Sequence, residues 1–492
     1  MGPTNRSALA LRAIGLIVTA AGVAVAGEPE PPPAASDEGG KPPPWWNQSP
    51  PPASPRPSYT ALGFDEDWSF LSDPKLRGDY LDRLKYLGLG LPGWYLTLGG
   101  FVRLRYELAP GFPPTTPYDR HGYFLQRYLA QGDLHLSRFV RVFVQLKSAL
   151  ENGRDGGPLP IDVDQLDLAQ GFVELSLPMA RLKLTLRGGR QELSYGSQRL
   201  LDIREGPNNP QSFDGLIVRL SGAALRIDLL MMRTVADRFG VFDDGDVRGQ
   251  WLWGAYGSFG PVLGGLHLDT YYLGFRRLDA QYARGSGDEL RHTLGLRLYG
   301  QWRRLEYDGE VMVQLGRFAR DAIAAWDLSL LVRRPFTLGP VQWVMALAGD
   351  VASGDQAPAA ATSPRALGTF STLFARGSYF TEAGYLMYAN TANLHPGVEL
   401  HLPRSVALTV DVVLAWRSST RDTIYGPSLQ PVVTPVGGAR YIGTLPTVAA
   451  WWNIDRHLSL AVNYSHLFDG PFLRDSGIRD FSFFAFWVTY LF

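Results

Sequence analysis

The closing stretch of the chain, Phe481–Phe492, constrains its fold more than any other segment. From Phe484 onward every second residue is large and apolar, which is the period of a β-strand with one apolar face. Aromatic side chains lie at both ends of that face, as on strands that cross a bilayer. A bare apolar edge would promote aggregation, whereas a closed barrel pairs its last strand with its first. The stretch predicts a transmembrane barrel, with an ordinary β-sandwich strand as the alternative.

The same alternation recurs along the chain from Leu96 onward. Around Leu104, for example, apolar residues alternate with charged ones. Further stretches of this kind are 140–147, 181–187, 293–299 and 405–417. A soluble barrel turns its apolar face inward and a membrane barrel turns it outward, so the alternation alone does not decide the direction.

The connections between the strands indicate that direction, because short ones take turns with long polar ones. The short connections are 136–138, 177–181, 221–223, 302–304 and 402–405. The long connections are 108–122, 151–165, 195–211, 236–248, 277–289, 351–382 and 418–437. Short periplasmic turns and long extracellular loops are typical of an outer-membrane barrel. We predict an all-β, antiparallel up-and-down transmembrane barrel of about 18 strands with its apolar face outward. Since the strands near 385–402 and 438–453 are the hardest to place, about 16 strands is the alternative.

The start of the chain predicts export. Arg6 and Arg12 precede an apolar run that ends in the small-residue motif Ala24-Val25-Ala26, so we predict a secretory signal peptide over residues 1–26. Residues 27–57 are dominated by proline and predict a disordered periplasmic linker. Residues 58–95 are expected to pack at the periplasmic side, and 96–492 to form the barrel. These features indicate the outer membrane of a Gram-negative bacterium.

Two sequence patterns resemble the alginate export family of outer-membrane proteins. One is Gly188-Gly-Arg-Gln-Glu-Leu-Ser-Tyr-Gly-Ser-Gln-Arg-Leu200, followed by Ser212-Phe-Asp-Gly215. The other is Leu98-Gly-Gly-Phe-Val-Arg-Leu-Arg-Tyr-Glu107, preceded by Asp65-Glu-Asp-Trp68. The resemblance covers roughly residues 59–492. It implies an eighteen-stranded monomeric barrel whose cationic lumen lets an anionic polysaccharide leave the cell.

The strand phase predicts which charges face the lumen. The cations expected to bind an anionic solute are Arg103, Arg105, Arg127, Arg141, Lys147, Lys183, Arg187, Arg219, Arg226 and Arg297. Arg190 and Arg199 join Arg187 as candidates for a constriction or a loop anchor, although Arg190 has the opposite phase unless the neighbouring glycines introduce a bulge. Fixed positive charge would replace the counterions of a carboxylated polymer. For any single cation, a salt bridge that stiffens the wall is the alternative.

The same phase also places acidic residues in the lumen, so the lumen charges do not by themselves indicate a path for anions. The inward acids are Glu107, Asp133, Glu174, Asp228, Asp269, Glu306, Asp308, Glu310 and Asp411. The early strands are mostly basic and the strand 305–315 is acidic, which also fits a porin with a field across its pore. Segment 351–382 is either a gate inside the pore or a mobile surface loop. The two functions left open are exporter of an acidic, alginate-type polysaccharide and general or small-organic-anion porin.

Other functions find little support in the sequence. The eight histidines are scattered, so no Ser-His-acid set is apparent and we predict that the protein is not an enzyme. The lack of cysteine excludes a lipoprotein anchor, and the formal net charge of zero gives no indication of nucleic acid. No cofactor or metal is expected. The expected partners are outer-membrane lipid, the transported anion, the barrel assembly machinery and a periplasmic secretion scaffold.

Overall fold

The computed structural model describes residues 59–60, 62–109, 122–262, 264–356, 366–434 and 437–492. The predicted signal peptide and linker lie outside these residues. None of the helices in the described ranges is long and apolar enough to cross a membrane.

Strands make up most of the described chain, and nearly all of them are longer than ten residues. They are β1 (Leu87–Gly88), β2 (Trp94–Leu108), β3 (Tyr123–Leu136), β4 (Val140–Asn152), β5 (Asp164–Met179), β6 (Leu182–Gln191), β7 (Phe213–Gly222), β8 (Leu225–Ala236), β9 (Gly245–Phe259), β10 (Leu266–Tyr282), β11 (Gly285–Trp302), β12 (Leu305–Phe318), β13 (Asp321–Leu338), β14 (Val341–Ala352), β15 (Thr391–Leu402), β16 (Val406–Arg417), β17 (Tyr441–Asn453), β18 (Leu458–Asp469) and β19 (Phe481–Leu491). The helices are α1 (Asp82–Lys85) and α2 (Pro471–Asp475), with 3-10 turns at Gly63–Asp65, Ser69–Ser72 and Pro74–Leu76.

Strands β2 to β19 form a closed barrel. Each pairs antiparallel with the next along the chain, and β19 pairs with β2 through the registers Phe484↔Leu108 and Leu491↔Phe101. The predicted eighteen-stranded barrel is confirmed, and the terminal stretch is the strand that closes it. The short β1 pairs with β2 alone.

The apolar face of the wall points outward. On β11, Leu294 is 54% exposed whereas Arg297 on the opposite phase is 3% exposed. The same contrast holds along most strands, because the outward apolar side chains of a membrane barrel contact lipid. The charged phase therefore faces the lumen.

One predicted loop is wrong. Residues 277–289 belong to β10 and β11, which meet in a two-residue turn between Tyr282 and Gly285. Their polar ends resemble a loop in the sequence because these strands, 17 and 18 residues long, extend beyond the roughly ten residues that a bilayer requires. Arg277 and the Tyr282 hydroxyl both bind Glu289, at 2.6 and 2.9 Å, and hold the strand ends together.

Residues 62–93 lie at the short-turn end of the barrel. Phe64 packs edge-on against Phe143 and Phe172 of the inward face, with ring centroids 5.7 and 5.3 Å apart. The buried Lys85 Nζ donates to the Phe492 carbonyl at 3.0 Å. The segment thus contacts both the inside of the barrel at its short-turn end and the end of the chain that follows the closing strand.

Candidate functional site

The lumen carries charge of opposite sign on its two sides. We define the basic wall as the inward face of β2–β8 and the acidic wall as the inward face of β10–β16. The cations of the basic wall are Arg103, Arg105, Arg127, Arg141, Lys147, Lys183, Arg187, Arg219 and Arg226, and the acids of the same wall are Glu107, Asp133, Asp164, Asp167, Glu174 and Asp228. The acids of the acidic wall are Asp269, Glu289, Glu306, Asp308, Glu310, Asp321, Asp327, Asp350, Glu399 and Asp411, and the cations of the same wall are Arg277, Arg291, Arg297, Arg333 and Arg417. Opposed walls of this kind set up a field across the lumen.

Most of the candidate cations have a carboxylate partner. Arg105 binds Glu107 and Glu382, Arg141 binds Asp133, Arg187 binds Glu174, Arg219 and Arg226 share Asp228, and Arg297 binds Asp269 and Asp308. For these residues the geometry is that of salt bridges in the wall. Lys183 is exposed near the short-turn end. Arg190 keeps the phase opposite to the lumen and binds Asp214 at 2.9 Å, while its guanidinium also lies 3.5 Å from Asp167.

Arg103 and Arg127 differ from the other candidates. They face each other across β2 and β3, and both are at most 6% exposed. Within the described residues, neither has a carboxylate within ion-pair distance. Arg127 donates instead to the backbone carbonyls of Glu205, Pro207 and Asn208, and Arg103 donates to the carbonyls of Glu205 and Pro207 at 3.2 and 3.5 Å. Two like charges are therefore placed side by side and held by neutral acceptors, and the buried Nε of Arg103 has no hydrogen-bond partner among the described residues.

Two long loops occupy the lumen and form what we call the plug, residues 192–212 and 366–390. Most of their described residues are buried. The loops join each other by parallel backbone hydrogen bonds, from Phe374 N to Leu200 O at 2.9 Å and from Asp202 N to Phe374 O at 3.0 Å. The sequence leaves two alternatives for segment 351–382, a gate inside the pore and a surface loop. Its part from 366 onward lies inside the barrel.

Arg199 joins the plug to the acidic wall. Its guanidinium binds Asp350 and lies 3.5 Å from Glu310. Tyr379 of the second loop donates to the same Asp350 at 2.8 Å, and Ser197 donates to Glu310 at 2.5 Å. Arg199 therefore links the plug to the acidic wall, a position compatible with the loop-anchor role among its two predicted roles.

Three wall carboxylates surround this one plug cation. Asp327 is fully buried near Arg199, and neither of its carboxylate oxygens has a hydrogen-bond partner among the described residues. Burial acts to lower the pKa of Arg199, but the carboxylates of Asp350 and Glu310 outweigh it and hold that pKa well above its ordinary value. The anchor is charged at any physiological pH.

Tyrosines fill the space between the plug and the wall. Tyr195, Tyr256 and Tyr271 stand in a row with ring centroids 5.0 Å apart, and their hydroxyls bind Asp228, Asp269 and Glu310 in turn. The cavity beside them measures about 10 Å³, which is space for about one water molecule. The plug therefore packs closely against the wall beside these tyrosines.

Two carboxyl groups of the first plug loop have strongly perturbed acidity. Burial raises the pKa of Glu192 to about 8, and Glu205 and Asp202 add to this rise while Arg127 and Lys147 oppose it. Burial likewise raises the pKa of Asp202 to about 6. Glu192 is consequently protonated in the closed plug at neutral pH.

A group of aspartates with metal-ligand spacing lies at the outer rim. One carboxylate oxygen from each of Asp164, Asp237 and Asp244 lies within 4.8 Å of the other two. The Lys147 ammonium lies among them, at 2.9, 2.6 and 2.9 Å. An ammonium thus holds the position that a bound cation would take, and Lys147 is committed to this rim cluster.

The sequence did not indicate the plug contacts or the tyrosine row. Alternation identifies inward positions but not the loop that meets them, so the partners of Arg103 and Arg127 had no signal in the strands. Tyr256 and Tyr271 had a weak signal, since both share the inward phase of their strands.

The fold and lumen define a class, the outer-membrane β-barrel channels with a folded-in plug. The chain belongs to the alginate export family, whose model matches residues 94–485. It is an outer-membrane channel, and family and fold are those of channels rather than enzymes. Comparison with curated protein sequences gives no significant match.

Solved structures of porins are similar in fold. OccD3 (OpdP) of Pseudomonas aeruginosa has a TM-score of 0.54 at 12% identity and covers 83% of this chain and 92% of its own. OccK2 (OpdF) of the same organism, in complex with glucuronate, has a TM-score of 0.52 at 12% identity, with 80% and 97% covered. A BenF-like porin from Pseudomonas fluorescens Pf-5 has a TM-score of 0.52 at 10% identity, with 81% and 98% covered.

Proposed function

We propose that this channel conducts carboxylate-bearing sugars across the outer membrane, and that its substrate is an acidic polysaccharide of alginate type leaving the cell passively. The observation that carries the proposal is the Arg103–Arg127 pair, two buried cations held by neutral carbonyls. A carboxylate adds charge–charge attraction and two-point geometry to the hydrogen bonds that arginine makes with neutral carbonyls. Once the plug loop moves away, the pair offers an anion two unneutralised charges.

The rest of the basic wall supports this role. Arg219 and Arg226 share one carboxylate, and Lys183 is exposed near the periplasmic mouth, so positive charge is in excess along the path to the plug. The family supports a polysaccharide. The glucuronate bound by OccK2 is a uronate, the class of sugar that carries the carboxylate we invoke.

A second candidate function is a porin for small organic anions. It is favoured by the opposed charges of the two walls and by the plug, since a small solute needs a narrower opening than a polymer does. Under either function the solute is an anion. Assembly by the barrel assembly machinery, a periplasmic scaffold as partner and a monomeric state remain predictions from the sequence.

The test is single-channel recording of the refolded protein in a planar bilayer, with selectivity and block measured. We expect anion selectivity and block by oligouronates that strengthens with chain length. Arg127→Ala should weaken block at least tenfold, whereas Arg334→Ala, an exposed outward cation, should leave it unchanged. Block by glucuronate that does not increase with chain length would favour the small-anion porin. Weak selectivity without any block would contradict both functions.

A further inference from the structure

A row of cations lies on the outward face of the barrel near its long-loop end. The register of neighbouring residues in this row is Arg233↔Trp251↔Arg276↔Leu290↔Arg317, from β8 to β12. Arg233 is paired with Asp246 at 2.6 Å and covers the Trp251 ring at 4.4 Å. Arg276 and Arg317 are exposed, and within the described residues neither guanidinium makes a hydrogen bond or an ion pair. Both therefore have all their donors available to a ligand.

The row lies at the outer edge of the apolar band. On β11, Trp302 marks the opposite interface, twelve residues below Leu290. That separation corresponds to a height of roughly 30 Å for a strand tilted by about 40°, against an apolar band of about 25 Å. The outward residues between them include Leu294, Leu296 and Leu298, all more than 40% exposed. The arginines therefore stand at the headgroup depth of the outer leaflet.

The surface just below the row carries residue types that favour the lipid headgroup region. Trp253, Tyr272 and His292 face outward together, and the Tyr272 hydroxyl shares a hydrogen bond with His292 Nδ1 at 2.8 Å. Aromatic residues with polar tips favour this depth.

The row is confined to one side of the barrel. At the same end of β2, β3 and β16–β19, outward positions carry no charge; examples are Leu108, Phe124, Trp416, Tyr441, Phe468 and Phe484. Around the row, Arg248 and Arg320 add positive charge, while Asp279 and Asp288 lie closer to the loop tips. A uniform anchoring belt would surround the barrel, so a local row indicates a specific ligand.

We propose that Arg276 and Arg317 bind the phosphate groups of an anionic outer-leaflet lipid, whose chains run down over β10–β12. Guanidinium groups bind phosphate in a two-point geometry, and basic surfaces at the membrane edge bind anionic headgroups. The two arginines lie two strands apart, roughly 10 Å, so that one headgroup with two phosphates or two neighbouring lipids can bridge them. The site lies on the outside of the wall and does not depend on the solute transported.

The test is native mass spectrometry of the refolded protein in detergent with three probes. These are bis-phosphorylated lipid A, its dephosphorylated form, and phosphatidylglycerol. We expect lipid A to bind and its dephosphorylated form to bind at least tenfold more weakly. If phosphatidylglycerol binds as strongly as lipid A, any phosphate headgroup suffices. If phosphatidylglycerol binds more weakly, the site prefers the bis-phosphorylated lipid.

Variants separate the site from general affinity for lipid. Arg276→Gln/Arg317→Gln should weaken lipid A binding at least tenfold, while Arg334→Gln, an outward cation at the opposite end of β13, should leave it unchanged. Heat-modified mobility in gels checks that each barrel is folded. If the double variant does not fold, the two single variants are measured instead. Unchanged binding in the variants, or equal binding of the dephosphorylated lipid, overturns the proposal.

Discussion

The two walls of the lumen satisfy their charges in different ways. On the basic wall, Arg103 and Arg127 hold backbone carbonyls of the plug, which carry no charge. On the acidic wall, Glu310 and Asp350 bind the plug through a full ion pair with Arg199. The first plug loop, residues 192–212, thus supplies neutral acceptors to Arg103 and Arg127 on one side and a cation to the other, whereas Glu382 of the second loop adds an ion pair with Arg105 on the basic wall. Release of the plug would leave Arg103 and Arg127 on one wall, and Glu310 and Asp350 on the other, without their plug partners.

The difference sets the relative strength of the two contacts. A hydrogen bond between ions is stronger than one between an ion and a neutral group, and a buried carboxylate without its cation is costly. We therefore expect the first plug loop to leave Arg103 and Arg127 before it leaves the acidic wall. An anion that competes with the carbonyls for Arg103 and Arg127 would act on the weaker contact.

The largest effect is expected from removing the ion pair on the acidic wall. Arg199→Met leaves Glu310, Asp327 and Asp350 buried without a cation, which costs about 3–5 kcal/mol in the closed plug. The plug should leave the lumen, and the fraction of time that a single channel spends open in a planar bilayer should rise at least tenfold.

Two matched variants control for this change. Arg199→Met/Asp350→Asn removes charge from both sides and should open less than the single variant. Arg334→Met, on the outward face, should behave as the wild type. A closed Arg199→Met channel would contradict the idea that the ion pair holds the plug.

A smaller effect is expected at the outer rim of the basic wall. Lys147→Met leaves Asp164, Asp237 and Asp244 facing one another, so the residues between β8 and β9 should loosen and become more sensitive to protease. Calcium at millimolar concentration should restore protection, since three carboxylates without an ammonium resemble an oxygen-ligand site. Lys183→Met is the control, because that residue is exposed. Equal protease sensitivity with and without calcium would contradict the cation role of Lys147.

The comparison of the walls also separates what the sequence predicts from what it does not. Alternation is a local property, so the inward phase of Arg297 and the outward phase of Leu294 follow from the residues of β11 alone. The excess of cations on early strands and of acids near Glu310 follows in the same way. Strand count and barrel closure were predictable because the terminal stretch and the turns are local signals too.

The plug contacts are not local. The bond from Arg127 to the Asn208 carbonyl joins positions 81 residues apart, and that from Arg199 to Asp350 joins positions 151 apart. A backbone carbonyl has no signature in the sequence, so the pairing of a wall cation with a loop cannot be read from residue types. The wrong prediction of a loop at 277–289 has a local cause, because strand ends that extend beyond the bilayer are as polar as loops.

A pH dependence of plug closure is also expected, and it acts on the basic-wall side. Glu192 has a pKa of about 8 in the closed plug, against an ordinary value of 4.5 that it regains on release. The closed plug binds the proton more tightly, so this contribution is fully present below about pH 4.5 and is lost as pH rises through about 8. Because this pKa difference acts over nearly the whole range, the open-to-closed ratio of single channels should increase by about two orders of magnitude between pH 5 and pH 8. Glu192→Gln should remove most of this increase, leaving the smaller part that Asp202 contributes below about pH 6. An unchanged pH dependence in Glu192→Gln would assign the effect to another group.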